Sequence, residues 1–388
     1  MNVVKIIRDP IHGNIRLSEL EQELLDTPHM QRLRRVKQNG LCHLVYPAMH
    51  SSRFEHSLGV LHLASVMSDY LGLKDIDADP LRSAALLHDV GHCAFSHTTD
   101  ELLGRMGYTH EMLSCNIIKN SEVSDVLASH GVKPALVAKL VSGKGELGKI
   151  ISSEIDLDRM DYLVRDAYYA GVAYGIIDVE RIISGMRIKN RRIVVDAGSL
   201  EAVELLLISR NMMYETVYRH HTKRIAELML RHALDSLYDS GALSFDRFCV
   251  MDDIDLVHCL RSAGGYSSDI MRRIDERRLF KTVASVSASS IRKPVLRRIC
   301  DKRAEIEAEI CSEFGVPLGY ALLDCPESKP EEFKVKIQVN GQLKSIREVS
   351  YLARSLEKSE KEKIMVSVHT PPQHVKSMKN IRLEKYLK

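Results

Sequence analysis

Ala84-Ala85-Leu86-Leu87-His88-Asp89-Val90-Gly91-His92 decides the fold, because here an apolar helix ends directly on a His-Asp pair. A charged carboxylate at the edge of a core is costly unless it is paired or bound to a metal. A His-Asp pair alone is weak evidence, since a chain of this composition contains about one by chance. Its position at the end of an apolar helix is what indicates a functional site.

Two further segments supply residues of the same chemical types. Arg53-Phe54-Glu55-His56 opens the preceding predicted helix, and Asp156-Leu157-Asp158-Arg159-Met160-Asp161-Tyr162 places several carboxylates on a third. Imidazole and carboxylate ligands suit a divalent metal such as Fe, Mn, Co, Ni or Zn. Two histidines and two aspartates from three helices would leave coordination positions for water and phosphate. The alternative is an ordinary buried network of His-Asp hydrogen bonds.

The histidines are concentrated, since ten of the seventeen fall within the first 110 residues. Such a cluster is more typical of a metal or proton-transfer site than a lone histidine is. His97 and Asp100 are three residues apart, so on a helix they share a face, and the carboxylate could hold the imidazole in one tautomer. An incidental surface pair is the alternative. A helix start explains Thr109 and Glu111 but not His110.

The composition argues against several classes of protein. No run approaches the roughly eighteen apolar residues of a membrane span, and the N-terminus is too short and too charged for a signal peptide. The eight cysteines include no Cys-x-x-Cys pair, which predicts reduced thiols and a cytoplasmic location. A net charge of +3 over 388 residues does not indicate a nucleic-acid binder.

Helical patterns dominate the first 240 residues. Met186 to Val195 predicts a small β-hairpin with Lys189, Asn190 and Arg191 near its turn. Ser199 to Ser240 lacks Gly and Pro, which predicts one very long helix or two packed ones. Residues 245–315 are predicted to be helical again, with Ser285 to Ser290 as a linker.

The composition changes after Cys325. The stretch from Lys334 to Val339 predicts a half-buried strand, Asn340-Gly341 a hairpin turn, and Ile364 to Val368 another strand. The expected fold is mostly α, with a helical core, a small β-hairpin and a small C-terminal α+β appendage. The expected domains are a catalytic core over 1–240, a helical extension over 241–325 and the α+β unit over 326–388.

Several ordered motifs together resemble the HD phosphohydrolase superfamily over roughly residues 5–240. The match narrows to the SAM-and-HD-domain type of deoxynucleoside triphosphate triphosphohydrolase and its shorter microbial relatives, without the SAM domain. The motifs are Asp9-Pro10-Ile11-His12-Gly13, Asp26-Thr27-Pro28 with Gln31-Arg32-Leu33-Arg34, Arg53-Phe54-Glu55-His56-Ser57-Leu58-Gly59-Val60, the stretch from His88 to His92, Phe95-Ser96-His97, Asp158 to Asp166, and Arg210-Asn211 through Tyr218.

The resemblance implies that the helical core is of the HD-domain type, and it implies a role for each matching residue. A divalent transition metal, with Mg²⁺ as a further ion, would be held by His56, His88, Asp89 and Asp158. Proton transfer and phosphate handling would fall to His97 oriented by Asp100, and to His92, His110 and Glu111. The phosphates would be clamped by Arg53 and Arg159. The nucleoside pocket would be formed by Gln38, Tyr162, Asp166, Arg210 and Tyr218.

The reaction that the resemblance implies is hydrolysis of a dNTP at the α-phosphorus, which gives deoxynucleoside and triphosphate. Such a reaction needs positioning, charge neutralisation and an in-line water. Asn39, Tyr214 and Arg219 depart from the residues that the larger relatives carry at the base and sugar end. The resemblance therefore constrains the metal end more tightly than the choice of nucleoside.

A regulatory nucleotide is a further implication of the resemblance. In the larger relatives, an Asp, a Gln and an Arg of one motif bind a guanine nucleotide. Asp26, Gln31 and Arg34 match that motif, and Lys5 could add a phosphate contact. The structural alternative places Asp26 at a helix boundary and Arg34 on a solvated face. The resemblance also implies a homo-oligomer, either a dimer or a tetramer.

Two other functions stay open from the sequence. One is a phosphohydrolase for another nucleotide, such as GTP or GDP. The other is a nucleic-acid-binding or nuclease protein that uses the basic residues of the predicted hairpin, Arg187, Lys189, Arg191 and Arg192. A basic hairpin of this kind is more often a solvated turn.

Overall fold

The computed structural model describes residues 2–189, 192–325, 335–362 and 364–386, and this part of the chain is mostly helical. The α-helices are α1 (Glu19–Asp26), α2 (Pro28–Arg32), α3 (Arg53–Leu71), α4 (Asp75–Leu87), α5 (Asp100–Arg105), α6 (His110–Asn120), α7 (Glu122–Ser129), α8 (Pro134–Val141), α9 (Gly145–Ile151), α10 (Leu157–Ala170), α11 (Val179–Gly185), α12 (Leu200–Met213), α13 (His221–Asp239), α14 (Phe245–Val250), α15 (Asp253–Ser262), α16 (Gly265–Asp275), α17 (Lys293–Asp301), α18 (Arg303–Phe314), α19 (Ile346–Val349) and α20 (Tyr351–Glu362). The strands are β1 (Lys5–Asp9), β2 (Gly13–Leu17), β3 (Met186–Lys189), β4 (Arg192–Asp196), β5 (Lys281–Ser287), β6 (Leu322–Asp324), β7 (Lys336–Val339), β8 (Gln342–Ser345) and β9 (Met365–Thr370). The predicted fold class is confirmed.

Side-chain caps set the start of the two helices that matter most for the site. At the start of α3, Ser52 accepts from the Glu55 amide while the Glu55 carboxylate accepts from the Ser52 amide, which satisfies two otherwise unpaired donors. At the start of α10, the Asp156 carboxylate accepts from the Arg159 amide at 2.8 Å. The first turns of both helices are therefore fixed in place.

Two glycines allow close approach between elements of the site, one between α3 and α10 and the other between the loop after α4 and α6. A Cβ at Gly59 of α3 would lie 1.8 Å from Oδ1 of Asp161 on α10. A Cβ at Gly91, in the loop after α4, would lie 2.2 Å from the Ser114 amide nitrogen and 2.5 Å from the His110 carbonyl oxygen of α6. Larger side chains at these positions would separate the elements that carry the His and Asp residues.

The predicted hairpin and two of the C-terminal strands, β7 and β8, form one small sheet. β3 and β4 pair in antiparallel fashion, as expected, whereas Asn190 and Arg191 of the turn lie outside the described residues. β4 also pairs in parallel with β7, and β7 pairs with β8 around Asn340-Gly341. Lys334, predicted as the first residue of the β7 strand, lies outside the described residues as well.

The prediction for residues 281–290, a helical region with a linker, is wrong. Lys281 to Ser287 is instead a strand, β5, and it pairs with β9, which also pairs with β6. A short strand of small residues has little local signal, and its stability comes from partners that are distant in sequence. The segment from Ser199 to Ser240 contains two helices, α12 and α13, and not one very long helix.

The cysteines correct a second expectation. Cys300 and Cys325 form a disulfide with their Cα atoms 5.8 Å apart, so the prediction that all thiols are reduced is wrong for this pair. The other six cysteines, all within the described residues, are not disulfide-bonded. Among the described residues, no helix is both long and apolar enough to cross a membrane.

The chain forms two compact units. The first comprises Met1–Val217, Phe245–Leu256 and Glu332–Ala353. The second comprises Tyr218–Ser244, Val257–Glu331 and Arg354–Lys388, and its core includes Ile310, Leu323, Val366 and Val368. The division into three consecutive domains at residues 240 and 325 stays a proposal.

Candidate active site

The four predicted metal ligands meet at the ends of three helices. His56 lies in the first turn of α3, His88 and Asp89 directly follow α4, and Asp158 lies in the first turn of α10. His56 Nε2 is 2.9 Å from Asp158 Oδ1 and 3.6 Å from Asp89 Oδ2, and His88 Nε2 is 3.3 Å from Asp89 Oδ1. We call these four residues the metal centre.

The donor atoms of the metal centre fit a divalent metal. His56 is fully buried and His88 is 8% exposed, and the Nε2 atoms of both make no hydrogen bond of acceptable geometry within the described residues. Buried polar atoms without a partner are costly. A divalent cation among these nitrogens and carboxylates would satisfy them, and the mixed N and O donor set suits a transition metal.

Hydrogen bonds on the far side of each ring select the nitrogen that faces the metal centre. His56 Nδ1 lies 2.8 Å from Asp161 Oδ2, and His88 Nδ1 lies 2.8 Å from the Ala85 carbonyl oxygen. Since both acceptors need a proton on Nδ1, the Nε2 lone pair of each ring points towards the metal centre.

Asp161 belongs to a buried network of charged residues, and the sequence alone assigned it no role. Its carboxylate lies 2.6 Å from His12 Nε2 and accepts two hydrogen bonds of 2.9 Å from Arg165, which also donates to Asp9 at 2.8 Å. The spacing was a usable signal, because Asp158, Asp161 and Arg165 are three and four residues apart on one helix.

The charges around the metal centre keep its carboxylates ionised. Burial would raise the pKa of Asp89, but Arg53, His88 and His92 hold it well below its usual value. Burial would likewise lower the pKa of His56, but the carboxylates of Asp158 and Asp161 raise it to about 10, so a metal that binds Nε2 must displace its proton. Ionised carboxylates are the form that binds a metal.

A second cluster of titratable side chains contains the predicted proton-transfer residues. His97 Nδ1 lies 2.8 Å from Asp100 Oδ2, as the three-residue spacing predicted, and His110 Nδ1 lies 3.8 Å from the same oxygen. The His92 and His110 rings stack with centroids 3.9 Å apart, and His110 Nε2 lies 3.3 Å from Glu111. Burial would lower the pKa of His110, but the neighbouring Asp100 carboxylate raises it.

This second cluster also has the donor atoms of a metal site. Ligand atoms of His92, His97, Asp100 and His110 all lie within 4.8 Å of one another. The His92 Nε2 atom lies 3.4 Å from Asp89 Oδ1, so the cluster adjoins the metal centre. Geometry alone permits proton transfer and metal binding, and the proton-transfer roles therefore stay predictions.

Arg53 connects the metal centre to the turn that precedes His97. Its guanidinium pairs with Asp89, and its Nε donates to Ser96 Oγ at 2.6 Å. Its Nη2 is buried and makes no hydrogen bond within the described residues, so one donor is left for a ligand. Phe95 and Ser96 have φ of 59° and 53°, in the left-handed region that non-glycine residues rarely adopt.

Two of the predicted nucleoside-pocket residues, Tyr162 and Arg210, lie near the predicted phosphate clamp Arg159. Burial would lower the pKa of Arg159, but neighbouring Asp156 and Tyr162 raise it, and Tyr214 adds to this effect. The Arg210 guanidinium carbon lies 4.5 Å from the centroid of the Tyr214 ring. Tyr214, which the sequence analysis noted as a departure from the larger relatives, therefore sits among Arg159, Tyr162 and Arg210.

The remaining pocket residues are placed less completely. Gln38 is 8% exposed, and its side-chain oxygen is buried without a hydrogen bond in the described part of the chain. Asp166 is buried and follows Tyr162 by one turn of α10. Tyr218 is the first residue of the second compact unit, and its role stays a prediction.

The predicted regulatory residues are partly engaged with one another. Gln31 Nε2 donates to the Leu25 carbonyl at 2.8 Å and Gln31 Oε1 accepts from Arg34 Nε at 2.8 Å. The Arg34 guanidinium also lies 3.6 Å from the centroid of the Phe54 ring. Asp26 is exposed at the end of α1, and Lys5 is exposed on β1. These contacts favour the structural interpretation of Arg34, and the regulatory role stays a prediction.

Two family models match the chain, the HD domain over residues 53–166 and the HD associated region over residues 177–388. The chain belongs to the HD-domain family. The HD-domain match begins at Arg53 and ends at Asp166, and it therefore includes all four residues of the metal centre.

Relatives and solved structures agree with this family. An uncharacterised protein of Methanocaldococcus jannaschii is 37% identical over 99% of this chain and 84% of its own length. The solved structure of a hypothetical protein from Aquifex aeolicus matches with a TM-score of 0.80 at 32% identity, covering 97% of this chain and 98% of that one. A phosphohydrolase from Bacteroides thetaiotaomicron matches with a TM-score of 0.75 at 25% identity, covering 94% of this chain and 99% of that one.

The human deoxynucleoside triphosphate triphosphohydrolase SAMHD1 is 29% identical to this chain. The match covers 87% of this chain and 62% of the human protein. Taken together, the family match and these relatives support a hydrolase of the HD phosphohydrolase family. Its His and Asp cluster is able to hold a divalent metal.

Proposed function

We propose that this HD-domain protein hydrolyses deoxynucleoside triphosphates to deoxynucleoside and triphosphate in a metal-dependent reaction. The observation that carries the proposal is the order of side chains along α10. Asp158 belongs to the metal centre, while Tyr162 and Asp166 follow at intervals of four residues on the same face. They lie about 6 and about 12 Å further along the helix axis, so one helix presents a phosphate end and a nucleoside end.

Two arginines would neutralise the triphosphate. Arg53 is held by Asp89 and Ser96 and keeps Nη2 as a donor, and Arg159 extends from the first turn of α10 beside Asp158. Guanidinium groups suit phosphate because their planar N–H donors match its oxygens. When bound at the metal centre, a divalent metal supplies positive charge at the phosphate and lowers the pKa of water.

His97 would complete the reaction as a general acid. Because Nδ1 of His97 is held by Asp100, its Nε2 is the atom that can carry a proton to the leaving 5′-oxygen of the nucleoside. The His97 side chain is 58% exposed, which leaves the ring accessible to a substrate. Asp100 both orients the imidazole and stabilises its protonated form.

One experiment tests the proposal directly. Metal-loaded protein is incubated with each of the four dNTPs and four NTPs, and the phosphate product is identified by ³¹P NMR. Triphosphate release from dNTPs supports the proposal. Triphosphate release from NTPs alone would support the second candidate, a phosphohydrolase for other nucleotides. Pyrophosphate or orthophosphate as the sole product would overturn the proposed cleavage between the α-phosphorus and the nucleoside 5′-oxygen.

The proposal includes a regulatory guanine nucleotide and a homo-oligomer, as the motif at Asp26, Gln31 and Arg34 predicts. The name of the human relative supports the substrate class, since that protein is called a deoxynucleoside triphosphate triphosphohydrolase. Asn39 and Tyr214 are the residues to vary first if the panel reveals another nucleoside preference.

A further inference from the structure

A short segment far downstream of the HD-domain match reaches back to the loop that carries the HD pair. This segment, residues 249–253, lies within the HD associated region. Arg32 is buried and bridges the two, because it donates to the Met251 carbonyl at 2.8 Å and to the Val90 and His92 carbonyls at 3.0 and 2.7 Å. The loop backbone therefore depends on residues outside the HD domain itself.

Asp253 makes the most direct of these contacts. One oxygen of its buried carboxylate accepts from the Phe95 amide at 2.7 Å, and the other accepts from the Lys37 amide at 3.0 Å. A single carboxylate thus joins the turn before His97 to the segment that leads into Gln38. The carboxylate is 6% exposed, so water competes little for these two donors.

The turn that Asp253 holds is one that the chain would not adopt unaided. Phe95 and Ser96 are consecutive non-glycine residues with positive φ, and such conformations persist only where the surroundings fix them. Ser96 Oγ also donates to the Lys37 carbonyl at 2.7 Å and accepts from Arg53. The Asp253 and Ser96 contacts therefore join the same two backbone segments, and Arg53 depends on both.

We propose that Asp253 is a positioning residue, whose carboxylate fixes the Phe95-Ser96 turn and thereby aligns Arg53 and His97 with the metal centre. The assignment rests on the proposed function for its kinetic consequences. It also gives the HD associated region a specific task, which is to hold the catalytic loop from outside the HD domain. The two hydrogen bonds that define this role go to backbone amides of Phe95 and Lys37, neither of which belongs to the metal centre.

The test compares Asp253→Ala, Asp253→Asn and a control, Asp246→Asn, which changes an exposed carboxylate of the adjoining helix α14. We measure kcat and KM with the dNTP that the wild type hydrolyses fastest, metal content, and amide hydrogen exchange of residues 90–99. Misplacement of a catalytic group by about 1 Å costs roughly a hundred-fold in rate. We expect kcat to fall about ten- to a hundred-fold in Asp253→Ala, with metal content unchanged and faster exchange at Phe95.

Asp253→Asn keeps one acceptor oxygen, so the kcat of this variant should lie between those of the wild type and Asp253→Ala. If the alanine variant does not fold, the asparagine variant provides the test. A kcat within about two-fold of wild type in a folded Asp253 variant would overturn the proposal. If the wild type hydrolyses no nucleotide, the proposed function fails, and hydrogen exchange alone then decides: unchanged protection of Phe95 in the variants would refute the positioning role.

Discussion

Asp161 Oδ2 lies 2.8 Å from Nδ1 of His56, so a carboxylate outside the metal centre determines which nitrogen of that ring faces it. The same carboxylate contacts His12 and Arg165, and Asp161 is fully buried. Burial would raise the pKa of Asp161, but Arg165 and the two histidines hold it well below its usual value. Its negative charge also makes the His56 imidazole a stronger ligand.

Substitution of Asp161 should therefore weaken metal binding without removing a ligand. We expect Asp161→Asn to lower metal affinity about 10- to 100-fold, since loss of such outer partners typically has that effect. Competitive titration with a chelator measures the affinity. Asp69→Asn, an exposed carboxylate at the end of α3, is the matched control. Equal affinities in the three proteins would contradict the role of Asp161.

Removal of a ligand should have a larger effect. Asp89 approaches both histidines of the metal centre and pairs with Arg53, so Asp89→Ala removes a ligand and the partner of a buried cation at once. We expect bound metal and hydrolytic activity to disappear together in this variant. Elemental analysis and the nucleotide assay check this, and near-normal metal content with normal turnover would reject the assignment of Asp89.

The His97–Asp100 pair should affect rate but not metal content. We expect His97→Ala to lower kcat by about a hundred-fold or more, the usual size of a general-acid effect, and Asp100→Ala to lower it less. Both variants should retain the metal of the wild type. Loss of one metal equivalent in His97→Ala would instead identify the second cluster as a metal site, and full activity would transfer the acid role to His110.

Acid pH should reveal the buried carboxylate of Asp253. Burial raises its pKa to about 6, and the charge of Asp252 adds to this, while hydrogen bonds from Phe95 and Lys37 and the Lys37 charge oppose it. The pKa of an aspartate in the unfolded chain is about 4. Between about pH 4 and pH 6, the folded state therefore binds more protons at Asp253 than the unfolded state does. The stability that Asp253 contributes is complete below about pH 4 and is lost as the pH rises through 6. Urea unfolding from pH 4.5 to 6.5 should therefore show a steeper loss of stability in the wild type than in Asp253→Asn. Parallel curves would contradict this.

The regulatory prediction concerns GTP. If Asp26, Gln31 and Arg34 hold a guanine nucleotide between protomers, GTP should raise the rate of dNTP hydrolysis and favour a larger assembly, because a ligand shifts an equilibrium towards the state it binds better. Asp26→Ala should abolish that response and keep its metal, since Asp26 is not in the metal centre. Rates and sedimentation are measured with and without GTP. If rates and sizes are identical in all four conditions, with and without GTP in wild type and in Asp26→Ala, only the structural role of this motif remains.

The metal centre could be predicted from sequence because its residues mark the ends of helices. His56, His88 and Asp158 each lie within a turn of a capped or terminating helix, where local patterns are strong, and the structure brings them together. The His97–Asp100 contact follows from a three-residue spacing in the same way.

The parts that were missed depend on contacts between distant segments. Asp161 was visible by its spacing from Asp158, but its contact with His12 spans 149 residues, and that of Asp253 with Phe95 spans 158. Strand β5 was missed for the same reason, since its residues are small and its stability comes from β9. Periodicity reports which side of an element is buried, and it does not report which partner lies there.

The discontinuity of the first compact unit has a consequence for how the protein is made. Its first 217 residues are synthesised before Phe245–Leu256 and Glu332–Ala353, which belong to the same unit. Domains tend to fold as units while the ribosome delivers the chain from its N-terminus. A nascent chain that has reached residue 240 already contains every residue of the metal centre, but it lacks Asp253 and the strand that pairs with β4. Metal could thus be captured early, whereas the catalytic loop acquires its final shape only after a much later stretch has been translated.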